Sequence, residues 1–172
     1  MLLFRKLLDW KRMGKGPERT LETGETAPDF QLELAGGGSR SLEQILAEGP
    51  VLLTFYKVSC PTCQLTLPFL QRLQDSTFRV VAVCQDEADR AREFNEAFEV
   101  DLPNLLDRAD DGYPVSNAYG ITHVPTMFLI EPDRRISWTW TGFHKRQLET
   151  LAERAGRAIF RPTDKVPESK FG

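Results

Sequence analysis

The stretch Val51-Leu52-Leu53-Thr54-Phe55-Tyr56-Lys57-Val58-Ser59-Cys60-Pro61-Thr62-Cys63 decides how this chain is read. Its first six residues are strand formers and almost all apolar, as expected of a strand buried on both faces and central to a sheet. Leu65, Leu67, Phe69, Leu70 and Leu73 then follow at helical spacing, so a helix begins near Cys60, with an expected kink at Pro68. The two cysteines therefore sit where a central strand gives way to a helix.

That junction matters to a thiol. Unpaired backbone N–H groups and the positive end of the helix dipole stabilise a thiolate there, below the free value of about 8.5. Cys60 is the expected nucleophile. Pro61 suits the first helical position, where its missing N–H would have had no partner. Cys63 lies about one turn further on, close enough to attack a mixed disulfide at Cys60 and release the second thiol. The spacing predicts a reversible dithiol.

Working outward, Val80-Val81-Ala82-Val83-Cys84 reads as a second buried strand, and residues 86–98 as a helix carrying Ala88, Ala91, Phe94, Ala97 and Phe98. A short apolar piece at Leu105-Leu106, a helix over 115–119, strands over 126–130 and 136–140, and a helix over 145–159 follow. On the other side, Gly36-Gly37-Gly38 turns a hairpin between 30–34 and 40–42. Alternating strands and helices imply an α/β fold, a mixed central sheet flanked by helices on both faces. Trp138 and Trp140 should share one strand face with Ile136. Residues 1–23 form an N-terminal extension, 24–160 a single domain, and 161–172 a tail expected to be mobile, with Pro162, Pro167 and five charged residues.

The chain has 172 residues, 22 basic and 25 acidic, for a net charge of −3 without a block of one sign, which disfavours nucleic acid as a partner. Three cysteines are too few for the disulfide framework of a small secreted domain. No signal peptide stands out, since Arg5, Lys6 and Asp9 break the first apolar stretch, and nothing approaches the roughly 20 apolar residues of a membrane span. A cytoplasmic location is the default expectation. Leu3, Phe4, Leu7 and Leu8 recur at helical spacing beside basic residues, so 1–13 is read as a helix docked on its own domain, with contact to an anionic membrane surface as the lesser reading.

Further features carry a resemblance: Ala27-Pro28-Asp29-Phe30 near the start, the strand before Cys-Pro-Thr-Cys, Pro68 five residues after Cys63, and Tyr119-Gly120-Ile121-Thr122-His123-Val124-Pro125-Thr126. Over residues 24–159 the chain resembles thioredoxin-like proteins of the TlpA group, redoxins related to AhpC/TSA. The resemblance implies a thioredoxin-like fold, to which residues 102–119 add a strand and helix. It implies that Cys60 and Cys63 form a redox-active disulfide with no other cofactor and no metal, and that Pro125 is cis beside them. Pro61, Thr62, Val124, Pro125 and Thr126 would then contact the extended backbone of a protein disulfide or dithiol substrate. An external thiol reductant would recycle the pair, with substrate reduction the favoured direction.

The departures concern proton transfer. Minimal thioredoxins carry an acid at the position of Thr54, and the TlpA group often carries one where Ser41 stands. Neither residue accepts a proton here, so a water or another acid such as Glu33 would have to serve. Ser59 replaces the aromatic residue common before the first cysteine.

Three other readings compete. Zinc would need four ligands, and beyond Cys60 and Cys63 only Cys84, His123 and His144 remain, none in a second close pair. A peroxidase of the same fold would carry a Pro and a Thr where Leu53 and Lys57 stand. A redox-inert interaction module would not need both cysteines. Cys84 is read as a small buried hydrophobe, His123 as a groove or solvated loop residue, and His144 as a surface residue.

Overall fold

Residues 16–172 are described by the computed structural model of the protein, and the amphipathic segment 1–13 lies outside them. The first half runs β1 (Gln31–Leu34), β2 (Ser39–Ser41), α1 (Leu42–Leu46), β3 (Val51–Tyr56), α2 (Pro61–Gln71), β4 (Arg79–Cys84) and α3 (Ala88–Phe98). The second runs β5 (Asn104–Leu106), α4 (Pro114–Ala118), β6 (Thr126–Ile130), β7 (Ile136–Thr141), β8 (Phe143–His144), α5 (Lys145–Ala155) and β9 (Ser169–Lys170).

Seven strands form one sheet in the order β2-β1-β5-β4-β3-β6-β7. β3, β4 and β5 are parallel because α2 and α3 carry the chain back across one face, whereas the remaining neighbours pair antiparallel. All six side chains of β3 are buried, and they alternate between two cores. Leu52 and Tyr56 join Cys63, Leu67, Leu70, Phe94, Leu148 and Leu151 beneath α2, α3 and α5. Val51, Leu53 and Phe55 join Leu42, Ile45, Val115 and Tyr119 beneath α1 and α4. The expected mixed sheet, covered on both faces, is the fold observed, and its initial hairpin and inserted strand and helix are present.

Four local features differ from the sequence reading. Residue 42 begins α1 rather than ending a strand. Ser41 caps it by accepting from Gln44 N–H, while the Gln44 side chain accepts from Ser41 N–H, a reciprocal capping box. In β7, Leu129 faces Trp138 but Ile130 faces Ile136, so Ser137 is an extra, bulged residue. The bulge turns Ile136 to the opposite face from Trp138, which separates residues that strict alternation would group. α5 ends at Ala155, with Gly156 left-handed at φ +65, four residues before the expected limit.

The fourth difference is the tail. Residues 161–172, expected to be a mobile tail, lie folded back on the domain. Arg72, at the end of α2, donates to the Asp164 carboxylate at 2.6 Å and to the Ile159 carbonyl at 2.9 Å. Val166 packs against the core, and β9 pairs antiparallel with β8, Lys170 facing Phe143 and Ser169 facing His144. The Arg72–Asp164 pair joins residues 92 apart in the sequence and has no local sequence signal.

Candidate functional site

The site forms at the C-terminal ends of β3 and β4, where the chain leaves the sheet. Cys60 is the N-cap of α2, with extended backbone at φ −81 and ψ 114, and its Sγ accepts from the Cys63 N–H at 3.2 Å. Pro61 occupies the first turn as the sequence implies. The preceding loop is fixed by three bonds. Cys60 N–H donates to Lys57 O at 3.1 Å, Val58 N–H to Asp86 Oδ2 at 2.8 Å, and Gln64 Nε2 to Val58 O at 3.0 Å.

The two thiols are free and unequal. Cys60 is partly exposed, whereas Cys63 is fully buried beside Leu67 and Met127. Burial, reinforced by the neighbouring Cys60 sulfur, pushes the Cys63 thiol far above its ordinary value. Cys60 is therefore the more accessible thiol of the pair.

Facing the thiols is the loop before β6. The Val124-Pro125 bond is cis, and the Val124 carbonyl accepts from the Cys60 thiol at 3.4 Å. Gly142 N–H donates to Pro125 O at 2.8 Å and holds the loop against β7. Thr126 is buried, its hydroxyl bound to His123 O at 2.8 Å and Thr141 Oγ1 at 2.9 Å. Thr126 thus positions the loop and offers no surface to a substrate.

Of the other residues expected to contact substrate, Pro61 is exposed, Val124 half-buried and Pro125 buried. Thr62 is buried, and its hydroxyl donates to Phe171 O of the folded-back tail at 2.5 Å. The structure brings Pro61, Thr62, Val124 and Pro125 together around Cys60.

Thr54 lies on the Cys63 side of β3, and its buried hydroxyl has no hydrogen-bond partner among the described residues. Glu33 cannot supply the missing acid. It forms an ion pair with Arg108 and stands in the row Glu33, Leu106, Cys84, Tyr56, three strands from β3 or about 14 Å. Ser41 lies one strand further out, on the edge strand β2, occupied in capping α1.

Cys84 is buried, and its thiol is pushed up to about 11 chiefly by desolvation. Its sulfur accepts from Asp86 N–H at 3.4 Å. His123 is exposed on the loop, and His144, expected at the surface, instead packs its ring edge-on to Trp140 with Nδ1 buried. Among the described residues no three His, Cys, Asp or Glu side chains form a metal-ligating group.

Two contributors were missed from sequence. Asp86 holds the loop before Cys60, and its only signal is an acid just past the end of β4. The tail at Thr62 has no local signal at all.

Comparison with known proteins agrees with this geometry. The AhpC/TSA family model matches residues 23–139. The thiol-disulfide oxidoreductase ResA of Geobacillus thermodenitrificans is 32% identical over 124 residues, 69% of either chain. The thioredoxin domain of a thiol-disulfide oxidoreductase from Bacteroides vulgatus superposes with TM-score 0.68 at 24% identity, covering 78% of this chain and 98% of that one. Peroxidoxin BcpB from Mycobacterium tuberculosis superposes with TM-score 0.65 at 25% identity, covering 80% and 99%. The chain belongs to the AhpC/TSA family, as a TlpA-like redoxin of thioredoxin-like fold.

Proposed function

We propose that this thiol-disulfide oxidoreductase reduces disulfides of protein substrates through Cys60 and Cys63. The observation that carries the reading is the Cys60 sulfur at the start of α2, partly exposed and bonded to the Val124 carbonyl, with Cys63 buried one turn behind it.

The Cys60 thiolate attacks one sulfur of the substrate disulfide. A new S–S bond forms, the old one breaks, and the first substrate thiolate leaves with a proton from solvent. Cys63 then passes its proton to a water and attacks the Cys60 sulfur; the bond from Cys60 to the substrate breaks, the second substrate thiolate leaves and takes up a proton from solvent, and a Cys60–Cys63 disulfide remains. Two electrons have passed to the substrate, and an external dithiol must return them. Burial of Cys63 keeps it protonated until the mixed disulfide forms, which separates attack from resolution.

Reduction is the proposed direction, in a compartment whose thiol pool keeps dithiols reduced, such as the cytoplasm. Among the described residues no helix is long and apolar enough to cross a membrane. Insulin reduction with a dithiol reductant tests the activity, and equilibration with glutathione tests the direction. A potential near about −270 mV supports a reductase, and one near about −120 mV overturns that direction.

A thiol peroxidase is the second reading, favoured by the family match and the likeness to a peroxidoxin. Against it, Leu53 and Lys57 stand where that reading needs a Pro and a Thr, and Leu53 is fully buried in the core beneath α1 and α4. Hydrogen peroxide turnover faster than insulin reduction would reverse the order.

A further inference from the structure

The groove beside Cys60 already holds a peptide, the chain's own residues 168–172. The segment is extended and runs between the two walls of the site. At one wall, Phe171 O accepts from the Thr62 hydroxyl in the first turn of α2. At the other, Gly172 lies on the Val124 carbonyl, so closely that a Cβ there would collide with it. That carbonyl is the one to which the Cys60 thiol donates. Along its edge the segment adds to β8: Lys145 N–H donates to Glu168 O at 2.9 Å, and Lys170 pairs with Phe143.

The attachment is uneven in strength. Upstream, the Arg72–Asp164 ion pair and buried contacts of Val166 anchor the tail. The last residues are held almost entirely by backbone. The Phe171 side chain is 89% exposed, and no packing among the described residues retains it. Backbone bonds of this kind are traded readily for those of another strand, because the incoming peptide restores the same donors and acceptors.

We infer that residues 168–172 are a built-in competitor for the substrate groove, and that a protein disulfide docks by displacing them and adding its own extended segment antiparallel to β8. This rests on the oxidoreductase reading above and adds to it a competing segment supplied by the chain itself. The upstream anchor keeps the tail near the groove, so it returns when the product leaves. Its effective concentration at the site depends on the short stretch after Asp164.

Lys170→Pro removes a ladder N–H at the residue facing Phe143, and Gly172→Val drives a side chain into the Val124 carbonyl. Both leave Cys60, Cys63, Thr62 and Val124 intact. The two full-length variants, and Phe171→Ala as a control that spares the backbone contacts, would be compared in two measurements. One is kcat/KM for insulin reduction. The other is the rate at which Cys60 reacts with Ellman's disulfide, which needs no protein substrate. Both rates should rise in Lys170→Pro and Gly172→Val by about tenfold, the net worth of one or two backbone hydrogen bonds, and stay at the wild-type value in Phe171→Ala. A synthetic Glu-Ser-Lys-Phe-Gly peptide should inhibit Lys170→Pro more strongly than wild type. Wild-type rates in both measurements for both variants would overturn the competitor role while leaving the oxidoreductase reading intact. Accelerated reaction with Ellman's disulfide but no insulin reduction by any form would uphold tail displacement and remove the proposed protein-disulfide substrate.

Discussion

The Cys60 thiol donates to the Val124 carbonyl at 3.4 Å, joining the first turn of α2 to the cis loop that opens β6. Every element of the site is arranged around that contact. β3 delivers Cys60, Asp86 and Gln64 fix its loop, and Thr126 fixes the facing one.

Thr126→Val should separate loop positioning from thiol chemistry. The substitution keeps the side-chain shape and removes the part-buried bonds to His123 O and Thr141, at a cost of about 0.5–1.5 kcal/mol in urea denaturation. kcat/KM for insulin should fall, while alkylation of Cys60 by iodoacetamide keeps its wild-type rate. Loss of both in a folded variant would show that the loop acts on the thiol itself.

The cysteines should label in order of exposure. In the reduced native protein at neutral pH, iodoacetamide should modify Cys60 first, with Cys63 and Cys84 reacting only after unfolding or at high pH. Peptide mapping by mass spectrometry checks this, and early modification of Cys63 would contradict the inequality of the pair.

Cys84→Ala should turn over at the wild-type rate and lose about 1 kcal/mol of stability, as a small buried side chain truncated in a core. A folded Cys84→Ala protein without turnover would make Cys84 a third redox thiol.

Much of this was legible before any coordinates. The apolar run 51–56 fixes β3 because only a strand covered on both faces tolerates six such residues, and the cysteines then fall at a helix start by spacing alone. The facing loop was legible only through resemblance, since nothing local brings Val124 to Cys60. What stayed hidden depends on contacts between distant residues. The Arg72–Asp164 pair and the bond from Thr62 to the Phe171 carbonyl each join residues far apart in the sequence, and no local pattern announces either. The bulge at Ser137 escaped because inserting one residue leaves the alternation of Trp138 and Trp140 unchanged while reversing Ile136. Glu33 looked available as an acid because sequence does not reveal the strand order that removes it from β3.

Low pH should loosen the tail. The hydrogen bond from Arg72, helped by the Arg161 N–H, holds the Asp164 carboxyl down to about 2 from its ordinary 3.8. A carboxyl lowered on folding contributes its stability in full above the unfolded value and loses it as pH falls through the folded one. Hydrogen exchange of the β8–β9 amides should therefore be slow above about pH 4 and accelerate, relative to intrinsic exchange, as pH falls toward 2. Asp164→Asn should remove that pH dependence. An unchanged profile in the variant would assign the loosening to another carboxyl.

The division of labour between Cys60 and Cys63 is tested most directly by trapping. Cys63→Ser protein, reduced and mixed with an excess of oxidised insulin, should accumulate a covalent adduct through Cys60, seen as a mass increase on non-reducing analysis and lost on adding dithiothreitol. Cys60→Ser under the same conditions should give none, because Cys63 is sealed beneath α2 with its thiol held protonated. Adducts on Cys60→Ser instead, or multiple turnover by either variant, would contradict the proposed order of attack.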